Sequence, residues 1–162
     1  MRTQATVLLL LTFLLGGCHV SDTVRKTVTI EQSWPAAGIE TIDLRGHNGS
    51  VRINVGTDDQ VSLVANARTR HRDAEERISD FLKLEVDDGT LYIGERNRKR
   101  KRIVILPFLR PEDAAISYVV TVPRRMNLDI TNVNGSMKIA GVSGKCSLRS
   151  VNGSIEVSTP DA

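Results

Sequence analysis

The end of the chain is written in one repeated phrase. Val133-Asn134-Gly135-Ser136-Met137-Lys138-Ile139 is followed nine residues later by Val142-Ser143-Gly144-Lys145-Cys146-Ser147-Leu148, and nine later again by Val151-Asn152-Gly153-Ser154-Ile155-Glu156-Val157. Leu128 and Ile130 fit one step earlier. The phrase also stands near the front as Asn48-Gly49-Ser50-Val51-Arg52-Ile53, with Ile42 and Leu44 nine residues before Val51 and Ile53, and Val61 and Leu63 ten after. Each unit alternates apolar and polar side chains, which is the pattern of a strand buried on one face. The turn between units falls on glycine, which adopts positive φ without cost, or on asparagine, which tolerates it.

This spacing predicts an all-β fold. One form is a β-solenoid, a β-helix-like stack of short strands on a roughly nine-residue repeat. The other is an antiparallel β-meander or sandwich that uses Asn-Gly as hairpin turns. Similar residues in identical slots favour stacking, because rungs set each residue over its equivalent. Cys146 occupies the slot of Met137 and Ile155, so it is expected to be a small buried hydrophobe and not a reactive thiol. Aromatic residues make up only 4% of the chain, which suits thin layers of aliphatic side chains.

Outside the repeats, residues 24–34 read as a strand with Val28, Ile30 and Trp34 on one face. Asp73-Ala74-Glu75-Glu76 reads as a capping box that opens one short helix, with Ala74, Ile78, Phe81 and Leu82 along one side. Strands are expected at 83–86 and 91–93, joined by the turn Asp87-Asp88-Gly89-Thr90. An irregular stretch over 107–115 precedes a further strand at 117–122.

The phrases Asn134-Gly135-Ser136, Val142-Ser143-Gly144 and Val151-Asn152-Gly153-Ser154, with Ser117-Tyr118-Val119-Val120-Thr121-Val122-Pro123 ahead of them, resemble the "putative adhesin" family of β-strand-repeat domains over residues 36–160. The resemblance implies a stacked β fold displayed at the cell envelope and no enzymatic activity. The family defines no functional residues to carry over.

The first 17 residues read as a signal peptide. Arg2 supplies the positive start, and residues 7–15 form an apolar stretch shorter than the roughly 20 residues that a transmembrane helix needs. The stretch ends in Leu15-Gly16-Gly17-Cys18, which resembles the bacterial lipobox. Cys18 is therefore the expected lipidation site, its thiolate taking the diacylglyceryl group. His19, not an aspartate, follows it, which by the same resemblance suggests the outer membrane. The expected organisation is a signal peptide (1–17), a lipidated segment leading into a first strand (18–35) and a β-repeat domain (36–162). No capping element is evident after the last repeat, so truncation or a covering partner is expected there. Cys146 is the only other cysteine, so lipidation of Cys18 leaves no pair for an intramolecular disulfide.

Six of the seven residues from Arg96 to Arg102 are basic: Arg96, Arg98, Lys99, Arg100, Lys101 and Arg102. Their expected partners are anionic lipid, lipopolysaccharide or wall polymer. Nucleic acid is not expected, because no aromatic residues are interleaved to stack on bases. His19, His47 and His71 have no strand or helix spacing to a second ligand, and His47 is expected in a turn, so no metal site is anticipated. Asp58-Asp59 and Asp87-Asp88 suit turns better than calcium. Ser50, Ser136 and Ser154 follow Asn-Gly at repeat positions and lack a His/Asp partner pattern. No cofactor is expected. The function expected is that of a non-enzymatic envelope lipoprotein with a β scaffold for adhesion or envelope interaction. The alternatives are an enzyme acting on envelope polysaccharide and an assembly subunit.

Overall fold

Wherever the chain alternates apolar and polar residues, the structure forms a strand. The computed structural model describes residues 26–69, 82–95 and 114–158. In chain order the strands are β1 (Lys26–Pro35), β2 (Thr41–Asn48), β3 (Val51–Val55), β4 (Gln60–Thr69), β5 (Leu82–Asp87), β6 (Thr90–Glu95), β7 (Ala114–Val122), β8 (Asn127–Asn134), β9 (Met137–Ala140), β10 (Cys146–Asn152) and β11 (Ile155–Ser158). They form two mixed sheets, one ordered β1-β4-β7-β3-β9-β11 and the other β10-β8-β2-β6-β5.

One core joins the two sheets. Ile42, Leu44, Leu91, Ile93, Leu128 and Ile130 come from the second sheet, and Val51, Ile53, Val61, Leu63, Val120, Met137 and Ile139 from the first. The aliphatic repeat positions therefore meet across a sandwich-like interior. Val28, Ile30 and Trp34 of β1 pack against its margin.

The repeat stacks at twice its apparent period. Leu128 lies beside Cys146 and Met137 beside Ile155, so equivalent residues meet eighteen positions apart, in parallel pairs. Successive nine-residue units go to opposite sheets, so a unit never lies over the next one. The hairpins that the meander alternative places at Asn-Gly are absent for the same reason. Asn48-Gly49 carries the chain from β2 to β3, and Asn134-Gly135 from β8 to β9, in each case from one sheet to the other. β2 pairs in parallel with β8, and β3 in parallel with β9, so the repeat strands are not an antiparallel meander. The sheets are not closed into a continuous solenoid coil; the arrangement is that of two packed sheets.

The turn at 87–90 is a hairpin. β5 and β6 are antiparallel with Asp87 beside Thr90. Asp88 (φ 44°) and Gly89 (φ 69°) both take positive φ, as a two-residue turn matched to strand twist requires.

Several local expectations change. Leu82, expected at the end of a helix, is the first residue of β5 and pairs with Glu95. The rest of that helix lies outside the described residues. His47 belongs to β2 and not to a turn. Ala114 and Ala115, expected in an irregular stretch, begin β7, because they continue its antiparallel ladder with β4 as far as Thr69.

Cys146 is exposed and not buried. It does occupy an inward slot, beside Leu128, but among the described residues no strand lies beyond β10 in its sheet to close over it. Its thiol donates to the Gly144 carbonyl at 3.6 Å, and partial burial pushes its pKa up. Access and ionisation therefore oppose each other. At low protein concentration, a small thiol reagent is expected to label Cys146 in the native state without denaturant. It should do so more slowly at neutral pH than it labels a free cysteine, with the gap closing as pH rises. Labelling that needs denaturant would contradict this exposure.

Candidate functional site

Five strand ends collect at one end of the sandwich. β1 begins there at Lys26, beside Thr69 at the end of β4, which lies beside Ala114 at the start of β7. β6 leaves at the same end, since Gly94 pairs with Arg45 near the end of β2, and Leu82 enters β5 beside Glu95. The Asn-Gly arches close this end too. Neighbouring strands lie about 4.8 Å apart, so Lys26, Thr69 and Ala114 span roughly 10 Å. Cys18 and the basic residues Arg96, Arg98, Lys99, Arg100, Lys101 and Arg102 lie outside the described residues. The chain enters β1 eight residues after Cys18, and it leaves β6 one residue before Arg96.

The arches are held by a ladder of asparagines. The Asn134 amide donates to Asn48 Oδ1 at 2.7 Å, and the Asn152 amide to Asn134 Oδ1 at 2.9 Å. Behind them, buried Asn132 donates to the Gly49 carbonyl at 2.9 Å and to the Gly135 carbonyl at 3.3 Å. The backbone repeats the pattern: Gly49 N donates to Asn134 O, and Gly135 N to Asn152 O, both at 2.9 Å. The asparagines that read as turn formers are thus also cross-rung connectors.

The opposite end carries a shallow cleft of about 340 Å³ between the β1–β2, β3–β4 and β7–β8 connections. Glu40, Asp58 and Arg125 line it, together with Ile39, Pro123 and Met126. Asn127 anchors this end: its backbone N–H donates to the Glu40 carbonyl at 3.1 Å, and its side-chain Oδ1 accepts from Lys145 N at 3.0 Å.

An ion-pair network crosses the outer face of the second sheet. Arg45 Nε lies 2.7 Å from Asp43 Oδ1, and Arg45 Nη2 lies 2.7 Å from Asp129 Oδ2. Arg45 also donates to Thr131 Oγ1. Partial burial lowers the Arg45 pKa, but the hydrogen bond and charge of Asp43, with those of Asp129, outweigh it, so the net shift is upward. Asp43 is almost fully buried although it points away from the core. This network is not among the expectations from the sequence. Its signal was available: Asp43 and Asp129 occupy the same outward slot, between Ile42 and Leu44 and between Leu128 and Ile130. Among the described residues, no group of three or more His, Cys, Asp or Glu side chains is placed to hold a metal ion.

No family model matches the chain, and no curated protein matches it. Solved structures do. A "putative cell adhesion protein" from Clostridium sporogenes matches at 14% identity over 82% of this chain and 58% of its own, with a TM-score of 0.40. A "putative lipid binding protein" from Parabacteroides distasonis matches at 14% identity over 80% of this chain and 51% of its own, with a TM-score of 0.43. A "putative adhesin" from Bacteroides fragilis matches at 14% identity over 78% of this chain and 61% of its own, with a TM-score of 0.42. The chain therefore spans between half and two thirds of the length of each.

Proposed function

We propose that this chain is a lipid-anchored cell-envelope protein whose β domain is a non-enzymatic scaffold for adhesion or envelope interaction, held with its arch end towards the membrane. The observation that carries this reading is the convergence of strand ends. The strand that follows Cys18 and the strand that precedes the basic run both open at the arch end. Eight residues reach about 28 Å at full extension, so lipid on Cys18 would tether this end and not the cleft end. The stacked repeat resembling envelope β domains supports the same reading.

With the arch end at the membrane, the basic run that follows β6 in sequence is within reach of anionic headgroups. Each Lys or Arg near such a surface contributes about 1 kcal/mol, screened within a Debye length. One acyl chain alone binds only marginally, so multiple chains on Cys18 together with this basic run would secure the anchor. The cleft end faces outward in this orientation and is left for a partner.

Two measurements test the reading. Mass spectrometry of the chain recovered from a bacterial host should find an acylated N-terminal Cys18, and Cys18→Ala should release the chain from the membrane fraction. A non-acylated form starting at residue 18 should bind vesicles containing phosphatidylglycerol in a salt-sensitive way. Replacing the six basic residues by glutamine should weaken that binding by at least about tenfold while leaving zwitterionic vesicles unaffected. Equal binding before and after the replacement would remove the basic run from the mechanism.

A further inference from the structure

The loops at the cleft end carry their charge in two separate halves. Five exposed carboxylates gather on one side: Glu40 before β2, Asp58 and Asp59 between β3 and β4, and Asp87 and Asp88 at the β5–β6 hairpin. The connection 36–40 ties these loops together, since Ala36 N donates to Asp59 O and Glu40 N to Gly89 O, both at 2.8 Å. Three exposed cations gather on the other side: Arg124 and Arg125 between β7 and β8, and Lys145 before β10. Ser143 N donates to Arg124 O at 2.8 Å, and Lys145 N to Asn127 Oδ1 at 3.0 Å, which holds those loops side by side. The two halves meet where Asn127 N donates to Glu40 O. The cleft lies on that boundary, and Glu40, Asp58 and Arg125 all line it.

Among the described residues, none of these eight side chains makes an ion pair. Elsewhere charges pair within the fold: Arg45 with Asp43 and Asp129, Lys83 with Glu85, and Lys138 with Glu156. Charges sorted by sign and left unpaired on one face can be matched only from outside.

We propose that the cleft end docks on a second copy of the chain, end to end, about a two-fold axis that lies in this face and runs from one sheet to the other. That axis exchanges the two halves. Each copy's carboxylates meet the other's cations, and Arg125 reaches towards the other copy's Glu40 and Asp58. A two-fold running across the strands of one sheet would set like charge on like, which is unfavourable. A polyanion or a polycation matches only one half of the face. A second copy matches both at once, and the two-fold makes every contact twice.

The use of this contact rests on the reading proposed above, in which the arch end is held at the membrane. An end-to-end pair points its two arch ends in opposite directions, so the two anchors enter apposed membranes. The contact is then adhesion between like surfaces. Exposed charge pairs are individually weak and screened by salt, so two chains associate loosely and surfaces bearing many chains bind by avidity.

Sedimentation equilibrium of the full chain in non-ionic detergent, at concentrations up to about 1 mM, tests the inference. A monomer–dimer equilibrium is expected, weakening at least about tenfold between roughly 0.05 and 0.5 M salt. Arg124→Glu with Arg125→Glu should leave the face acidic throughout. Glu40→Lys with Asp58→Lys and Asp59→Lys should leave it basic. Each variant alone should associate at least about thirtyfold more weakly than the parent, and an equimolar mixture of the two should return to within about fivefold of it. Circular dichroism should show the parent's strand content in both. A monomer at every concentration, an association indifferent to salt, or a mixture no better than its components overturns the inference. Uptake of polylysine or polyglutamate without self-association overturns it too. The anchor reading fails separately: a salt-sensitive dimer with no acyl group on Cys18 keeps the face and removes the apposed membranes, and an acylated monomer does the reverse.

Discussion

Replacing Gly135 by alanine is expected to destabilise the domain by about 3–4 kcal/mol, through a contact that the chain cannot relax. Gly135 has φ 131°, where L side chains are rarely found. A Cβ there would lie 2.1 Å from the Gly49 carbonyl oxygen and 2.7 Å from its carbon. Both atoms are backbone, and that backbone is held from two sides. Gly49 N is bonded to Asn134 O, and Gly49 O accepts from buried Asn132. Moving the arch of one rung therefore pulls on the next. Gly38 is the control. It also has positive φ (85°), but nothing lies within 4 Å of an added Cβ, so Gly38→Ala should cost only about 1 kcal/mol. Urea unfolding of the two variants beside the parent measures the difference. Equal costs would mean that the arches are looser than their hydrogen bonds indicate.

Asn132→Asp should cost roughly 4 kcal/mol at neutral pH and much less in acid. Asn132 is 1% exposed, and its amide donates to two arch carbonyls. An ionised carboxylate would set negative charge against those carbonyl oxygens, with no donor to replace the amide. Burial and the facing carbonyls hold the substituted carboxyl neutral, so its folded-state pKa rises above the unfolded value of about 4. A raised folded-state pKa gives a stability contribution that is fully present below the unfolded pKa and lost as pH rises through the folded one. The gap between variant and parent should therefore be small near pH 3 and widen towards neutrality. Asn132→Ala loses the same donor without gaining charge, so it should cost about 2 kcal/mol with no such pH dependence. Parallel pH profiles for the two variants would show that position 132 does not sense the arch carbonyls.

Much of this fold is legible along the chain because it is local. Alternation at Ile42 and Leu44, Val51 and Ile53, and Leu128 and Ile130 gives both the strands and their buried face. Asp88-Gly89 gives a hairpin because only two residues separate β5 from β6. The asparagines were legible as turn formers but not as a ladder, since Asn48, Asn134 and Asn152 meet only when rungs stack. The Arg45 network was hidden similarly: Arg45 and Asp129 are 84 positions apart, and only the parallel pairing of β2 with β8 unites them.

Cys146 shows where local reading stops. Its inward slot is legible from the repeat, and its exposure is not. Burial depends on whether another strand lies beyond β10, and no residue near Cys146 carries that information. The nine-residue repeat has the same division. By itself the sequence determined which face each repeat strand turns inward and where the Asn-Gly and Asp88-Gly89 turns fall, because these depend on neighbouring residues and on backbone geometry. Only the tertiary structure decided that successive units go to opposite sheets, that equivalents meet eighteen residues apart and that Cys146 is exposed. Those features depend on which strand lies beside which, and pairing between distant segments is set by how the whole core closes.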